Sequence, residues 1–240
     1  MWTSPRRPHA TPGGRSQLAV AIALLACLGL SACTAAETPS PASTAEAETI
    51  APFPESGGID PGTYLVTGYP VPFEITVPDG WESFDGGAGL DKGGVIYLTF
   101  WPTPYVPTDA CAWQGTLVQI DPTAEAFVDA MTAQTSTVST PAVEVMVGDF
   151  SGFEFDHAAE SDVDFTACDS GRLCVYSDSA QGCDGRSYLT VGDRETYRVV
   201  DLNGERAVIA VGQFDESVDP TLIEEARAIF DSIVFVRPDE

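Results

Sequence analysis

Two segments of this chain begin with the same three residues, Asp-Pro-Thr, and both continue with apolar residues at helical spacing. Asp121 and Asp219 can each cap the free N–H groups of a helix, and a proline at the first helical position loses no hydrogen bond. The two apolar stripes contain Ala124, Phe127, Val128 and Met131, then Leu222, Ile223, Ala226, Ile229, Phe230 and Ile233. These patterns predict two helices, at about 122–134 and 220–232.

Most other apolar residues after residue 62 alternate with polar ones or form short runs, which is typical of strands. The predicted strands are Gly62–Tyr69, Phe73–Val77, Val95–Trp101, Val143–Val147, Gly152–Asp156, Val163–Ala167, Leu173–Tyr176, Tyr188–Val191, Tyr197–Leu202, Arg206–Val211 and Ile233–Val236. Asn203-Gly204 is a strong signal for a tight hairpin. The order of strands, helix and a long run of strands predicts an α+β fold, in which the two main helices pack on an antiparallel sheet.

The first part of the chain is predicted to be an export signal. Three arginines precede an apolar run from Leu18 to Leu30, as in a secretory signal peptide. Leu-Ser-Ala-Cys at residues 30–33 is similar to the bacterial lipobox, where signal peptidase II cuts before a cysteine that carries diacylglycerol. We therefore expect a lipoprotein signal peptide at residues 1–32 and a lipidated Cys33.

Two alternatives for this segment remain open: an ordinary signal peptide with an accidental cysteine, and an uncleaved transmembrane helix over 17–36. Both would still export the rest of the chain. Residues 33–56 are rich in Ala, Thr, Ser, Pro and Glu, which predicts a disordered tether. Residues 57–240 are then a single domain held at the outer face of the cytoplasmic membrane by the lipid.

The mature chain is strongly acidic. Removing residues 1–32 leaves 8 Lys and Arg against 36 Asp and Glu, a formal charge of −28. Such a surface repels nucleic acid and anionic headgroups, so the membrane contact is assigned to the lipid anchor alone. The expected partner is an envelope protein or a small ligand, and a basic partner is one of the options.

Four cysteines remain after the signal and the lipidated residue are set aside: Cys111, Cys168, Cys174 and Cys183. In an exported protein an even number predicts two disulfides, for which three connectivities are open. The spacings differ from the paired Cys-x-x-Cys of zinc ribbons, so no metal site is predicted there.

No catalytic residue and no cofactor are predicted. His157 is the only mature histidine and Lys92 the only lysine, which leaves few ways to activate a nucleophile. We expect His157 to cap the strand before it. The acidic residues Asp156, Glu160, Asp162 and Asp164 are expected to form a solvated turn, with calcium binding as the alternative.

Aromatic residues and prolines concentrate between residues 101 and 113. Two interpretations apply: a loop that its aromatic side chains and Cys111 pack onto the sheet, or an exposed binding platform. The candidate binding residues of the second interpretation are Trp101, Tyr105 and Trp113.

Short motifs connect this domain with a known group. Residues 73–81 read Phe-Glu-Ile-Thr-Val-Pro-Asp-Gly-Trp, and residues 232–235 read Ser-Ile-Val-Phe. The chain thereby resembles actinobacterial exported lipoproteins of unsettled function, and its layout is similar to the PsbP-like α/β/α sandwich of LpqN-type mycobacterial lipoproteins. In that group one cysteine lies in Asp-Pro-Cys-x-Trp and another in Cys-Asp-x-Gly. The matching residues 109–113, with Ala110 in place of the proline, and 168–171 imply pairing of Cys111 with Cys168. The other pair is then Cys174 with Cys183.

These features predict a non-catalytic cell-surface lipoprotein that binds an envelope partner or a small ligand. The alternative is a carboxylate-based or calcium-dependent enzyme acting on a cell-envelope polymer. A converging pair of buried carboxylates in a cleft, one with a raised pKa, would favour the enzyme.

Overall fold

The computed structural model describes residues 50–69, 71–101, 103–213 and 217–236, except for the side chain of Trp101. The predicted signal peptide, Cys33 and the tether up to residue 49 lie outside this part of the chain. None of the helices in the described part is both long enough and apolar enough to span a bilayer.

The described residues form short strands and two helices. In the first half of the chain the strands are β1 (Ala51–Pro52), β2 (Gly57–Gly58), β3 (Gly62–Val66), β4 (Phe73–Val77), β5 (Glu82–Phe84), β6 (Gly89–Lys92), β7 (Ile96–Trp101), β8 (Tyr105–Pro107) and β9 (Leu117–Gln119). Helix α1 (Ala124–Ala133) follows. The later strands are β10 (Thr137–Ser139), β11 (Val143–Val147), β12 (Phe150–Ala159), β13 (Leu173–Tyr176), β14 (Arg186–Tyr188), β15 (Arg194–Asp201), β16 (Arg206–Gln213) and β17 (Val234–Phe235), with α2 (Pro220–Asp231) before β17.

A nine-stranded antiparallel sheet forms the centre of the domain, in the order β10-β12-β15-β16-β7-β6-β5-β2, with β11 also paired to β12. A second sheet has the order β1-β3-β4-β17, in which only the short β1–β3 pairing is parallel. The pairs β8–β9 and β13–β14 form two small hairpins. The predicted α+β class with a mainly antiparallel sheet and two helices is therefore confirmed.

Strand β16 is buried on both faces of the central sheet. Ile209 packs in one core with Ile229 and Phe230 of α2 and with the second sheet. Val208 packs in the other core with Phe127 of α1. The two helices therefore lie on opposite faces, which are called the α2 face and the α1 face below. Burial on both sides explains why this strand is a continuous apolar run.

Both helix starts agree with the predicted Asp-Pro-Thr signal, but they are capped differently. Asp219 caps α2, accepting a hydrogen bond from the Thr221 backbone N–H at 2.9 Å. In α1 the cap is Thr123, whose hydroxyl accepts from the Ala126 N–H at 3.2 Å, two residues after the predicted Asp121.

Residues 50–56 belong to the domain and not to the predicted tether. Ala51–Pro52 pairs with β3, and the Phe53 N–H donates to the Leu65 carbonyl at 2.9 Å. The Phe53 ring contacts Phe100, with 6.0 Å between ring centroids. One aromatic residue near the end of a polar segment is enough to dock it, because its ring adds to the core.

Two predicted strands differ from the structure. The strand predicted over 188–191 lies instead at Arg186–Tyr188, and residues 189–191 are not in a strand. The strand predicted over 163–167 is wrong. Phe165–Ala167 forms a 3₁₀ turn within the predicted strand over 163–167. Asp164 starts that turn, since its carboxylate accepts the Thr166 N–H at 3.0 Å and the Thr166 hydroxyl at 2.6 Å. This local capping satisfies the backbone and competes with strand pairing.

Candidate ligand-binding pocket

A row of directly paired residues crosses six strands of the central sheet. In order across the sheet, the row contains His157, Glu195, Gly212, Tyr97, Asp91 and Glu82. Paired residues point to the same face, so the side chains of this row share the α1 face. Polar groups are thereby collected along one end of a face that is otherwise apolar.

Glu195 is the centre of this row and is only 2% exposed. Its Oε1 accepts hydrogen bonds from the Tyr97 hydroxyl at 2.5 Å and from Arg186 Nε at 2.8 Å. Its Oε2 accepts from the hydroxyls of Tyr188, at 3.0 Å, and Tyr197. A buried carboxylate is tolerated when its charge is paired and its lone pairs are occupied, and this network provides both.

Burial sets the protonation of the groups around Glu195. It raises the pKa of Tyr97, Tyr188 and Tyr197, and the Glu195 charge raises them further, so each phenol stays a donor. Burial disfavours the charged form of Arg186, but Glu195 and the surrounding tyrosines together outweigh this effect, and the guanidinium pKa is raised. The three phenols and the guanidinium each keep one protonation state at neutral pH as a result.

Gly212 makes the contact between Tyr97 and Glu195 geometrically feasible. A Cβ at residue 212 would lie 2.0 Å from both Cζ and Oη of Tyr97. The Tyr97 ring therefore lies directly over the glycine and reaches across β16 to the carboxylate on β15.

The sequence predicted that His157 caps the strand before it. Instead, His157 lies within β12 and is 1% exposed. Its Nδ1 is 2.9 Å from the Tyr188 hydroxyl. Burial lowers the pKa of His157 to about 4, although the Glu195 charge partly opposes this. Because Tyr188 has one proton and Glu195 is the stronger acceptor, His157 is assigned the tautomer with a proton on Nδ1, which donates to Tyr188.

A pocket of about 480 Å³ opens beside this network. Its walls come from β5, β6 and β7 and from the chain that leads into β14. The carboxylates that line it are Glu82, Asp85, Asp91 and Asp184, and the aromatic side chains are Phe84, Tyr97 and Tyr176. Arg186 is the one cation among the described lining residues, and it is already paired with Glu195.

A disulfide holds one wall of the pocket. Cys174 bonds to Cys183, which anchors the chain just before Asp184. The Ser177 hydroxyl accepts the Asp184 N–H at 3.1 Å. Gly185 then passes so close to Tyr176 that a Cβ would lie 2.8 Å from the Tyr176 carbonyl oxygen. This wall is therefore fixed before any ligand arrives.

The four predicted cysteines form the bridges Cys111–Cys168 and Cys174–Cys183, so the predicted pairing is confirmed. Trp113 is not an exposed binding residue: it is 5% exposed and packs against the second bridge. Its Nε1 donates to the Asp169 carbonyl at 3.0 Å.

Tyr105 of the predicted binding platform is not among the lining residues of the pocket described above. Tyr105 is half-buried in β8, and its backbone pairs with Ser177. Trp101 ends β7 opposite Val208, and its side chain lies outside the described residues. Because Trp113 is buried, it takes no part in the predicted platform. The interpretation that fits Trp113 is a loop packed by its aromatic residues.

Two of the four acidic residues at 156–164 have local roles. Asp156 accepts the Thr196 hydroxyl at 2.7 Å, and Asp164 caps the turn described above. Across the described ranges, the structure has no group of three or more His, Cys, Asp or Glu side chains placed to hold a metal ion.

The buried carboxylates are already occupied by the domain's own donors. Asp193 accepts the backbone N–H groups of Leu189, at 2.5 Å, and Thr190, at 3.1 Å. Glu195 is saturated by the network. Asp178, an exposed residue, has its pKa raised by partial burial and by the neighbouring Asp184 carboxylate.

A larger depression, of about 660 Å³, lies on the α2 face. Val138, Val191 and Ile223 line it, and all three are exposed. Asp156, Arg194 and Glu195 are also among its lining residues, but its described lining includes no Phe, Tyr or Trp. The smaller pocket is the better candidate because aromatic rings and several carboxylates meet there.

No protein-family model and no curated protein matches this chain. The pocket residues were also missed by reasoning from the sequence. They come from separate strands and a loop, and only the general excess of Asp and Glu points towards them.

Proposed function

We propose that this protein is a non-catalytic binding module that takes up a small organic cation in the pocket beside Tyr97. Lipid on Cys33 would hold it at the outer face of the cytoplasmic membrane. The proposal rests on one observation: four carboxylates and three aromatic rings surround a depression whose lining cation is already neutralised.

The chemistry of these groups favours an ammonium or guanidinium ligand. Carboxylates attract it over a distance, and aromatic rings bind a cation by about 0.5–2 kcal/mol, more when water is excluded. The Arg186 guanidinium lies 4.5 Å from the Tyr97 ring centroid, so this ring already contacts a cation of the domain itself. Tyr176 is 2% exposed, which leaves the half-buried Phe84 as the ring most accessible to a ligand.

We also propose that the fold is PsbP-like. One helix on each face of an antiparallel sheet supports this assignment, as do the residues that resemble the exported lipoproteins. For those lipoproteins no function is settled, so the pocket carries the functional proposal by itself.

The binding proposal can be tested by titrating the mature protein with spermidine and with arginine methyl ester in a calorimeter. We expect saturable binding that weakens as salt is added. Glu82→Gln combined with Asp91→Asn should weaken it at least tenfold. Asp121→Asn, an exposed carboxylate outside the pocket, is the matched control and should bind as the wild type does. Equal affinity in all three proteins would exclude this pocket.

The enzyme alternative has one supporting feature, the raised pKa of Asp178 beside Asp184. If these residues act as an acid–base pair, the protein should hydrolyse a cell-envelope glycan, and Asp178→Asn should abolish the turnover. Turnover that depends on Asp178 would support the enzyme and contradict the binding proposal.

A further inference from the structure

Strand β11 is an open edge of the central sheet. All five residues of Val143–Val147 pair with β12 on one side. On the other side no strand of the described chain pairs with it. Its outward backbone groups can therefore accept an additional strand.

This edge lacks most of the features that usually block strand addition. Proteins protect edges with charged side chains, above all lysine, with proline or with a bulge, and the one charged residue of β11 is Glu144. Between residues 143 and 147 there is neither proline nor lysine, and the β11–β12 register is continuous. Val143 is 57% exposed and Met146 is 65% exposed, so large apolar side chains stand in solvent at the edge.

An acidic pocket of about 570 Å³ lies directly beside this edge. Glu144 and Met146 of β11 line it from one side and Glu125 of α1 from another. Asp201 and Phe153 also line it, and the described lining residues include neither Lys nor Arg. The pocket therefore combines apolar walls with uncompensated negative charge.

We propose that β11 binds an extended segment of a basic partner protein as an added strand, with a Lys or Arg side chain of that segment in the pocket beside Glu144. The backbone of the edge would supply affinity, and the pocket would select the charge. This interface shares no lining residue with the pocket beside Tyr97, so it is independent of the proposed cation site.

Charge decides between a basic partner and a second copy of this chain. Each mature chain carries a formal charge of −28. A symmetric β11–β11 pairing would bring the two Glu144 side chains together at the same interface. A basic segment instead gains attraction at these positions.

The test uses the full mature protein and three synthetic hexapeptides, in which valine alternates with lysine, glutamate or serine. Binding is measured by fluorescence anisotropy, and its location by hydrogen exchange of the backbone amides. We expect the lysine peptide to bind at least tenfold more tightly than the other two and to slow exchange at residues 143–147. Equal binding of the lysine and glutamate peptides, or protection elsewhere only, would overturn the proposal.

Substitutions distinguish the contribution of the strand edge to peptide binding from that of the acidic pocket. Met146→Lys should weaken binding of the lysine peptide at least tenfold, whereas Val118→Lys, at an exposed valine of β9, should leave it unchanged. Glu144→Gln should reduce the preference for lysine over serine. Normal thermal unfolding of each variant establishes that it is folded. If β11 is instead protected without peptide, in a dimer that forms as protein concentration rises, the occupant is a second copy and the proposal is wrong.

Discussion

Glu195 shows how a single buried charge can determine the arrangement of its neighbours. Four donors converge on its carboxylate, from Tyr97, Arg186, Tyr188 and Tyr197. Removing one partner of a buried ion pair costs about 3–5 kcal/mol, because the other charge is left uncompensated. The position of the Tyr97 ring in the pocket wall therefore depends on residues that do not line the pocket.

His157 should make stability depend on pH in a range where few other groups titrate. Burial lowers its pKa to about 4 in the folded domain, against 6.5 for the unfolded chain. Below pH 6.5 the unfolded chain takes up a proton that the folded domain refuses until about pH 4. The free energy of unfolding should thus fall by about 2 kcal/mol between pH 7 and pH 5.

Urea unfolding of wild type and of His157→Asn at these two pH values measures this effect. The asparagine keeps a donor for Tyr188 but cannot be protonated. It should remove most of the difference between the two pH values. An unchanged pH dependence in this variant would assign the effect to other groups.

Gly212 is expected to tolerate no side chain. In Gly212→Ala the new Cβ would overlap the Tyr97 ring, at 2.0 Å from Cζ, and would push the hydroxyl away from Glu195. We expect a loss of about 3 kcal/mol in the free energy of unfolding. Gly58→Ala is the control, since nothing lies within 4 Å of that Cβ. A similar small loss in both variants, measured by urea unfolding, would contradict this account.

At the level of elements, local signals were sufficient for the helices but not for the pocket. The Asp-Pro-Thr start and the apolar stripe placed α2 within one residue of Pro220–Asp231. The 3₁₀ turn at Phe165–Ala167 was missed because a side-chain cap outweighs an apolar run of strand type. Pocket residues such as Asp91 and Tyr97 meet through strand register, which periodicity within one segment does not reveal.

The disulfide Cys174–Cys183 lies at the hairpin β13–β14, next to the pocket residue Asp184. Its pairing could be predicted from the sequence, but its position beside the pocket could not. Replacing Cys174 and Cys183 by serine should lower the free energy of unfolding by about 3 kcal/mol on the chain-entropy account. It should also weaken binding of cations, because Asp184 loses its anchor. Replacing Cys111 and Cys168 should cost about 4 kcal/mol but spare cation affinity under conditions where the variant is folded. Calorimetric titration of both variants with cations checks that affinity falls in the first and is kept in the second. Equal loss of affinity in both would mean that neither bridge acts locally.

At the scale of the whole molecule, the few cations of the described residues are engaged within the domain. Lys92 contacts Glu225, Arg186 contacts Glu195, and Arg198 contacts Glu154. With 36 carboxylates against 8 cations in the mature chain, most of the acidic side chains have no basic partner available. This surplus supports both proposed interfaces, since each presents carboxylates to a positively charged ligand.

Attachment to the membrane should depend on Cys33 alone. A surface of this charge repels anionic headgroups, so the acyl chains have to supply the attachment. In cells that express wild type, the mature protein should be found in the membrane fraction and should incorporate labelled fatty acid. Cys33→Ala should lose the label and either release the domain to the medium or accumulate as the unprocessed precursor.

Cys27→Ala is the matched control for this experiment, because Cys27 lies within the predicted signal peptide and is removed with it. Cleavage, labelling and fractionation should all match wild type in this variant. A Cys33→Ala protein that is still cleaved and stays with the membrane would show that the attachment has another source. An uncleaved helix over 17–36 would then be the first candidate, and N-terminal sequencing of the membrane-bound protein would identify it.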